Sequence, residues 1–378
     1  MSQAPKLPYE ENPRHLPLLD GLRAFAILCV LTEHFGGMLA KVNSFGYYGV
    51  DLFFVLSGFL ITRILLAGTG SFAADLRTFI GRRTIRIFPA YYLVLLVLYL
   101  VSYRTVRDDF LWLVTYTWNY APQRRDGAFY LWSLSVEEQF YLFWPLLVLA
   151  FRSRPVGLFS MTLVLISLSY AQLIWGLSEV LSQFNYTGLP NRMGSLCLGA
   201  SGAITVLHKR VPQSWFESRF LELLLLAALF WCSASLRFSV IPFHVLAYPT
   251  SGLCSLVLVL KCAHGRFAFA GLQRALASRA AAEIGRVSYA MYLLHEPLGR
   301  FIADHVFGPL WHALPFELLG PLEKLRWHSW VLQFPLVLLS SFLAARLMWV
   351  CYERPLLRLK DLWFPTAHPE ASATSPAS

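Results

Sequence analysis

Charge is what this sequence has least of. Only 14% of its 378 residues are Asp, Glu, Lys or Arg, while 56% are hydrophobic and 15% aromatic. An ordinary soluble domain carries about 25% charged residues. A chain of this length with so few polar side chains cannot cover a water-facing surface, which excludes a soluble globular enzyme. Its apolar content equally excludes a disordered or fibrous chain. No cleavable signal peptide is visible, because the first fifteen residues are polar and include Pro5, Pro8 and Pro13. There is no CxxC pair and no Cys/His spacing of a zinc site. The six cysteines, Cys29, Cys197, Cys232, Cys254, Cys262 and Cys351, lie in or beside apolar runs and read as small buried hydrophobes. Internal repeats, heptads and a second soluble domain are missing as well. A net charge of +10 in a soluble protein would point to nucleic acid. Here arginines in cytoplasmic connections account for it. What remains is an all-α, polytopic membrane helix bundle.

Ten segments are long and apolar enough to read as spans, at roughly 22–40, 46–67, 85–103, 131–150, 158–177, 190–207, 220–236, 243–261, 285–306 and 329–351. Residues 110–119 are apolar but short and read as an interfacial or re-entrant piece. Residues 307–328, with Pro309, Pro315 and Pro321, read as a structured external loop. The chain divides into an N-terminal cytoplasmic tail (1–15), a membrane domain (16–360) and a disordered Ala/Ser/Pro-rich cytoplasmic tail (361–378). With both termini inside, eighteen Lys and Arg fall in cytoplasmic connections and nine outside, the bias expected of this orientation.

Charged groups within such segments are costly and default to functional candidates. Arg23 and His34 are eleven residues apart, which places them on one helical face about 16 Å apart along the axis. Either could also be structural, as a snorkelling Arg and an interhelical His. Asp51, close in depth to His34, is placed to orient an imidazole. Ser57 and Gly58 allow close approach of a helix or a ligand. Arg82, Arg83 and Arg86 sit in a connection at the cytoplasmic boundary; they set topology or form an anion site together with Arg23. Glu137 and Glu138 lie a turn inside an apolar helix, and His295 and Glu296 lie within another, followed by Pro297. Glu353 and Arg354 close the last span. The aromatics Trp112, Trp118, Tyr120 and Trp311 read as interfacial anchors or sugar-stacking platforms.

Taken together, LLDGLRAFAILCVLTEHF (18–35), GVDLFFVLSGFLITR (49–63), RRTIRIFPAYY (82–92), LWSLSVEEQFYLFWP (131–145), SYAMYLLHEPL (288–298) and YERPL (352–356) resemble the membrane-bound acyltransferase family 3, O-acyltransferases that modify carbohydrates and some secondary metabolites. Residues 150–280 match mainly by hydropathy. The resemblance implies a plasma- or inner-membrane enzyme with about ten spans. It implies a cytoplasmic acyl-CoA donor, with acetyl-CoA as the prior, and a carbohydrate or glycolipid acceptor. No metal is expected. It carries the family's Arg-x10-His motif to Arg23 and His34, with His34 catalytic as a base or an acyl relay. The RxxR motif falls on Arg83 and Arg86, which would hold CoA phosphates with Arg23. The Glu of the family's WSLxxE-type motif falls on Glu137 or Glu138, and Glu138 is preferred as the catalytic one. Ser57, Glu137 and His295 would bind substrate. By position along the helices, Asp51 or Glu33 is placed to orient His34, with Glu33 about 100° around the helix. Many members carry a hydrolase-like domain after the last helix. This chain ends about twenty residues past YERPL and is expected to act alone or with a separate periplasmic partner. The competing class is a small-molecule or proton-coupled transporter, for which intramembrane His and Glu are equally suited.

Overall fold

The computed structural model describes residues 16–37, 45–101, 103–122, 128–177, 186–208, 213–237, 241–309 and 329–365. The expected N-terminal tail, most of the loop 307–328 with Trp311, and the segment past Pro365 lie outside the described residues.

Ten long helices occur among the described residues, and no strand. They are α1 (Pro17–Phe35), α2 (Phe45–Leu66), α3 (Phe72–Leu100), α4 (Trp132–Ala150), α5 (Pro155–Leu177), α6 (Leu189–Leu207), α7 (Arg219–Arg237), α8 (Ile241–His264), α9 (Ser288–Ile302) and α10 (Phe334–Met348). Each overlaps one expected apolar segment. Wider π-type turns extend α9 through Phe307 and flank α10 at Ser329–Gln333 and Trp349–Glu353. The chain then runs on into a helix over Arg354–Trp363, so the expected domain edge at 360 falls inside a helix. Among the described residues, five stretches are long and apolar enough to cross a membrane: Gly46–Leu66, Phe72–Leu100, Pro155–Leu173, Leu246–His264 and Val331–Lys360.

The third helix departs most from expectation. It begins at Phe72, where the Ser71 hydroxyl accepts a hydrogen bond from the Ala74 amide, and it runs for 29 residues. Arg82, Arg83 and Arg86 therefore stand inside a helix rather than in a connection. Arginine is a good helix former, so Arg82, Arg83 and Arg86 do not interrupt the helix, although their charge suppresses the hydropathy signal. Arg82 leaves the group: its Nη1 donates to the Phe364 carbonyl at 2.6 Å and fastens the C-terminal helix to α3.

α2 lies against α1, α4, α6 and α8 and forms the middle of the bundle. Its crossing with α6 is backbone on backbone. A Cβ on Gly58 would stand 1.8 Å from the Leu196 carbonyl oxygen, and one on Gly199 would stand 1.9 Å from that of Val55. Small residues allow this approach, and close packing takes the place of a hydrophobic drive between helices in lipid. Five of the cysteines are buried as expected, but Cys351 is exposed. At one end of α7 and α8, Lys261 donates to Glu222 Oε1 at 2.8 Å and to the Phe216 carbonyl, while Glu222 accepts from the Ala268 and Phe269 amides.

The short piece at 110–119 contains a helix over Phe110–Val114 and is held against α3. The Tyr91 and Tyr92 hydroxyls donate to the Leu113 and Val114 carbonyls, each at 2.9 Å. Trp118 is 0% exposed and its indole donates to the Ala128 carbonyl, so it is neither an anchor nor a stacking platform. Trp112 and Tyr120 stay exposed.

Candidate active site

Among the described residues, two of the cavities within the bundle hold the candidate side chains. The first is lined by Arg23 of α1, Ser57 of α2, Arg83 and Arg86 of α3, and Glu137 and Glu138 of α4. Six of the residues singled out in the sequence thus meet in one place. Successive helices bring them there: Arg83 and Arg86, three residues apart, share one face of α3. Ser57 Oγ donates to Glu137 Oε1 at 2.8 Å, and the Tyr141 hydroxyl lies 3.1 Å from both Ser57 Oγ and Glu137 Oε2. The Arg83 guanidinium sits over the Tyr141 ring, 4.9 Å from its centroid. Arg23 pairs with Asp20 at 2.5 Å. Among the described residues, Arg83 and Arg86 have no carboxylate within ion-pair distance. Two guanidiniums without a direct ion pair, facing an internal cavity, suit a phosphate-bearing ligand.

The second cavity, about 430 Å³, is lined by His34, Phe129, Tyr130, Glu296, Arg300 and Gln333 among others. His34 Nδ1 lies 2.7 Å from Glu296 Oε2, and Arg300 Nε donates to Glu296 Oε1 at 2.8 Å. An ionised carboxylate oxygen can only accept, so in the neutral imidazole the proton belongs on His34 Nδ1 and the lone pair on Nε2. Glu296 thus takes the orienting place expected of Asp51. Asp51 is engaged elsewhere: it is 2% exposed, lies 3.6 Å from Arg192 Nη1 and accepts from Ser195 Oγ at 3.2 Å. Equal depth in the membrane did not mean the same side of the helix. Arg192 is packed against the Tyr186 and Tyr248 rings, at 4.0 and 4.9 Å from their centroids. Glu33 accepts from the Gly46 amide, holding the start of α2.

The two cavities meet at a partition. Tyr292 lines the first and Tyr130 the second. The Tyr292 hydroxyl donates to the Tyr130 carbonyl at 2.8 Å, and the Tyr130 hydroxyl donates to the Leu293 carbonyl at 2.8 Å. His295, 0% exposed, packs edge-on against both His34 and Tyr130, with ring centroids 5.0 and 4.9 Å apart. Its Nδ1 is 2.7 Å from the Tyr292 carbonyl, which fixes Nδ1 as the donor. Glu138 lines the arginine cavity and not the His34 cavity.

One ligand atom each of His34, His295 and Glu296 falls within 4.8 Å of the others, a grouping that could hold a metal ion and that no sequence spacing revealed. Arg300 on the same carboxylate opposes a cation there. The reading of the sequence also missed Arg300, Arg192, Tyr141 and Arg286, the last of which lines the arginine cavity. Glu296 had been noticed, but not as the partner of His34.

The acyltransferase 3 family model, described as an acyltransferase domain, matches residues 16–350. YrhL of Bacillus subtilis is 33% identical over 237 residues, 55% of this chain and 36% of that protein. Peptidoglycan O-acetyltransferase OatA of Listeria monocytogenes is 36% identical over 157 residues, 36% of this chain and 25% of its own length. O-acetyltransferase OatA of Staphylococcus aureus is 33% identical over 212 residues, 50% of this chain and 34% of its own length. The matched part thus spans about a third or less of each relative. No solved structure matches.

Proposed function

The chain belongs to the membrane-bound acyltransferase 3 family, and from that premise we propose that it is an O-acyltransferase. It moves an acyl group, acetyl first among them, from cytoplasmic acyl-CoA to a hydroxyl of an envelope carbohydrate. The names of its relatives favour a peptidoglycan-type glycan. In this reading all ten long helices cross the inner or plasma membrane, with both termini in the cytoplasm. The arginine cavity takes the donor and the His34 cavity takes the acceptor.

The observation that carries the proposal is the His34–Glu296 contact at the wall of its own cavity, next to the arginine cavity. Arg83 and Arg86, with Arg23, hold the CoA phosphates. The arm runs past Ser57, Glu137 and Glu138 and presents its thioester at the Tyr292–Tyr130 partition. The acceptor oxygen attacks the thioester carbonyl as His34 Nε2 takes its proton. The C–S bond breaks, and the imidazolium returns the proton to the departing thiolate. Glu296 stabilises the imidazolium formed in between, and its bond to Nδ1 keeps Nε2 aimed at the reacting hydroxyl. Arg300 holds the carboxylate in place. His295, tied to the Tyr292 carbonyl, packs the partition against His34.

Two cavities back to back also suit a transporter. Mass spectrometry of envelope glycans from cells with and without this protein separates the two. Loss of ester-linked acyl groups in its absence supports transfer. An unchanged glycan together with loss of solute uptake contradicts it.

A further inference from the structure

Arg286 extends the donor site, and its placement follows from a glycine. The short helix Arg279–Arg286 leads into α9 and packs on the start of α1. At Gly285 a Cβ would stand 1.9 Å from the Asp20 carbonyl oxygen, so only glycine permits this approach. The contact seats Arg286 beside the first turn of α1, where Asp20 and Arg23 pair, and turns it toward the cavity that also holds Arg23, Arg83 and Arg86.

The charges of that cavity are distributed unevenly. Arg23 is matched by Asp20. Arg286 shares a single carboxylate with Arg346: Glu283 Oε1 lies 3.0 Å from Arg286 Nη1 and Oε2 lies 2.9 Å from Arg346 Nη1. Two guanidiniums on one carboxylate leave one positive charge unmatched there. Elsewhere in the lining Arg83 lies over Tyr141, and Arg83 and Arg86 share the cavity with Glu137 and Glu138 without a direct ion pair.

Acyl-CoA likewise carries its phosphates in two separate groups. Its diphosphate adjoins the pantetheine arm, and a separate monophosphate sits on the ribose at the far end from the thioester. Resting on the reading of this cavity as the donor site, we propose that Arg286 is the subsite for the ribose monophosphate. Arg83 and Arg86 hold the diphosphate. Arg286 is then the residue that selects CoA over carriers with the same arm and no ribose phosphate. The monophosphate completes the charge balance by pairing with the half-neutralised guanidinium.

The test is calorimetric binding of CoA and of dephospho-CoA, which lacks only that phosphate, to the purified full chain in nanodiscs. The wild type should bind CoA about tenfold to a hundredfold tighter, as a charge-assisted phosphate contact implies. Arg286→Gln should bring this ratio close to one, and Arg286→Lys should restore part of it. Arg83→Gln should weaken both ligands and leave the ratio in place. A wild-type ratio near one, or a ratio undiminished in Arg286→Gln, overturns the assignment while the donor site stands. If Arg286→Gln does not fold, the wild-type ratio and Arg286→Lys still decide. Failure of both nucleotides to bind the wild type would instead contradict the donor-site reading itself.

Discussion

Glu296 Oε2 stands 2.7 Å from His34 Nδ1, a contact made across 262 residues of sequence. It joins the first long helix to the ninth and gives His34 a defined tautomer. If that is how Glu296 acts, Glu296→Gln, which keeps the shape and loses the charge, should lower kcat by on the order of 10²-fold with little change in donor KM. Steady-state kinetics on purified variants checks this. A raised donor KM with unchanged kcat would place Glu296 in donor binding instead.

Asp51 should behave as a structural residue. It and Arg192 are both almost fully buried, and breaking such a pair leaves an uncompensated charge, at a cost of about 3–5 kcal/mol. Asp51→Asn should therefore lower the thermal midpoint and the yield of folded protein, while activity per folded molecule is kept. Thermal unfolding monitored alongside turnover separates these effects.

The crossing of α2 and α6 leaves no room for a side chain at Gly58 or Gly199. Gly199→Val should force the helices apart and destabilise the bundle by at least the roughly 1–3 kcal/mol typical of overpacking. Gly271, with open space around it, is the control: Gly271→Ala should leave the thermal midpoint unchanged or slightly raised.

Lys261 and Glu222 clip α7 to α8 out of contact with solvent. Lys261→Met should destabilise by about 3–5 kcal/mol, because Glu222 is left charged and buried. Lys261→Met combined with Glu222→Met should be less damaging than Lys261→Met alone, although the Ala268 and Phe269 amides then lose their acceptor. A thermal-shift comparison of single and double variants checks the sign.

The positions of the long helices were legible because spanning length and apolar composition are local properties. The start of α3 was not, since hydropathy counts Arg82, Arg83 and Arg86 against a span although they favour a helix. The arginine cavity was legible in part: Arg23, Ser57, Glu137 and Glu138 stood out as polar groups in apolar segments, and Arg83 and Arg86 as a basic pair at a boundary. Arg286 did not, because it lies at the boundary of a segment, where a basic residue is unremarkable. Asp51 shows the limit of arguing from depth alone. Depth follows from position along a helix, but the partner of a side chain depends on which way each helix is turned, and that is settled by contacts such as Gly58 on Leu196. Glu296 sits next to a histidine in the sequence, yet its partner is His34 of α1.

The central claim is that His34 Nε2 takes the proton of the acceptor hydroxyl. It is tested most directly by thiol release from acetyl-CoA by the purified protein in nanodiscs, with and without a peptidoglycan fragment bearing free hydroxyls. The account predicts acceptor-dependent release by the wild type and a fall of on the order of 10²- to 10⁴-fold in His34→Ala, with CoA binding retained. Full acceptor-dependent turnover in His34→Ala would contradict it.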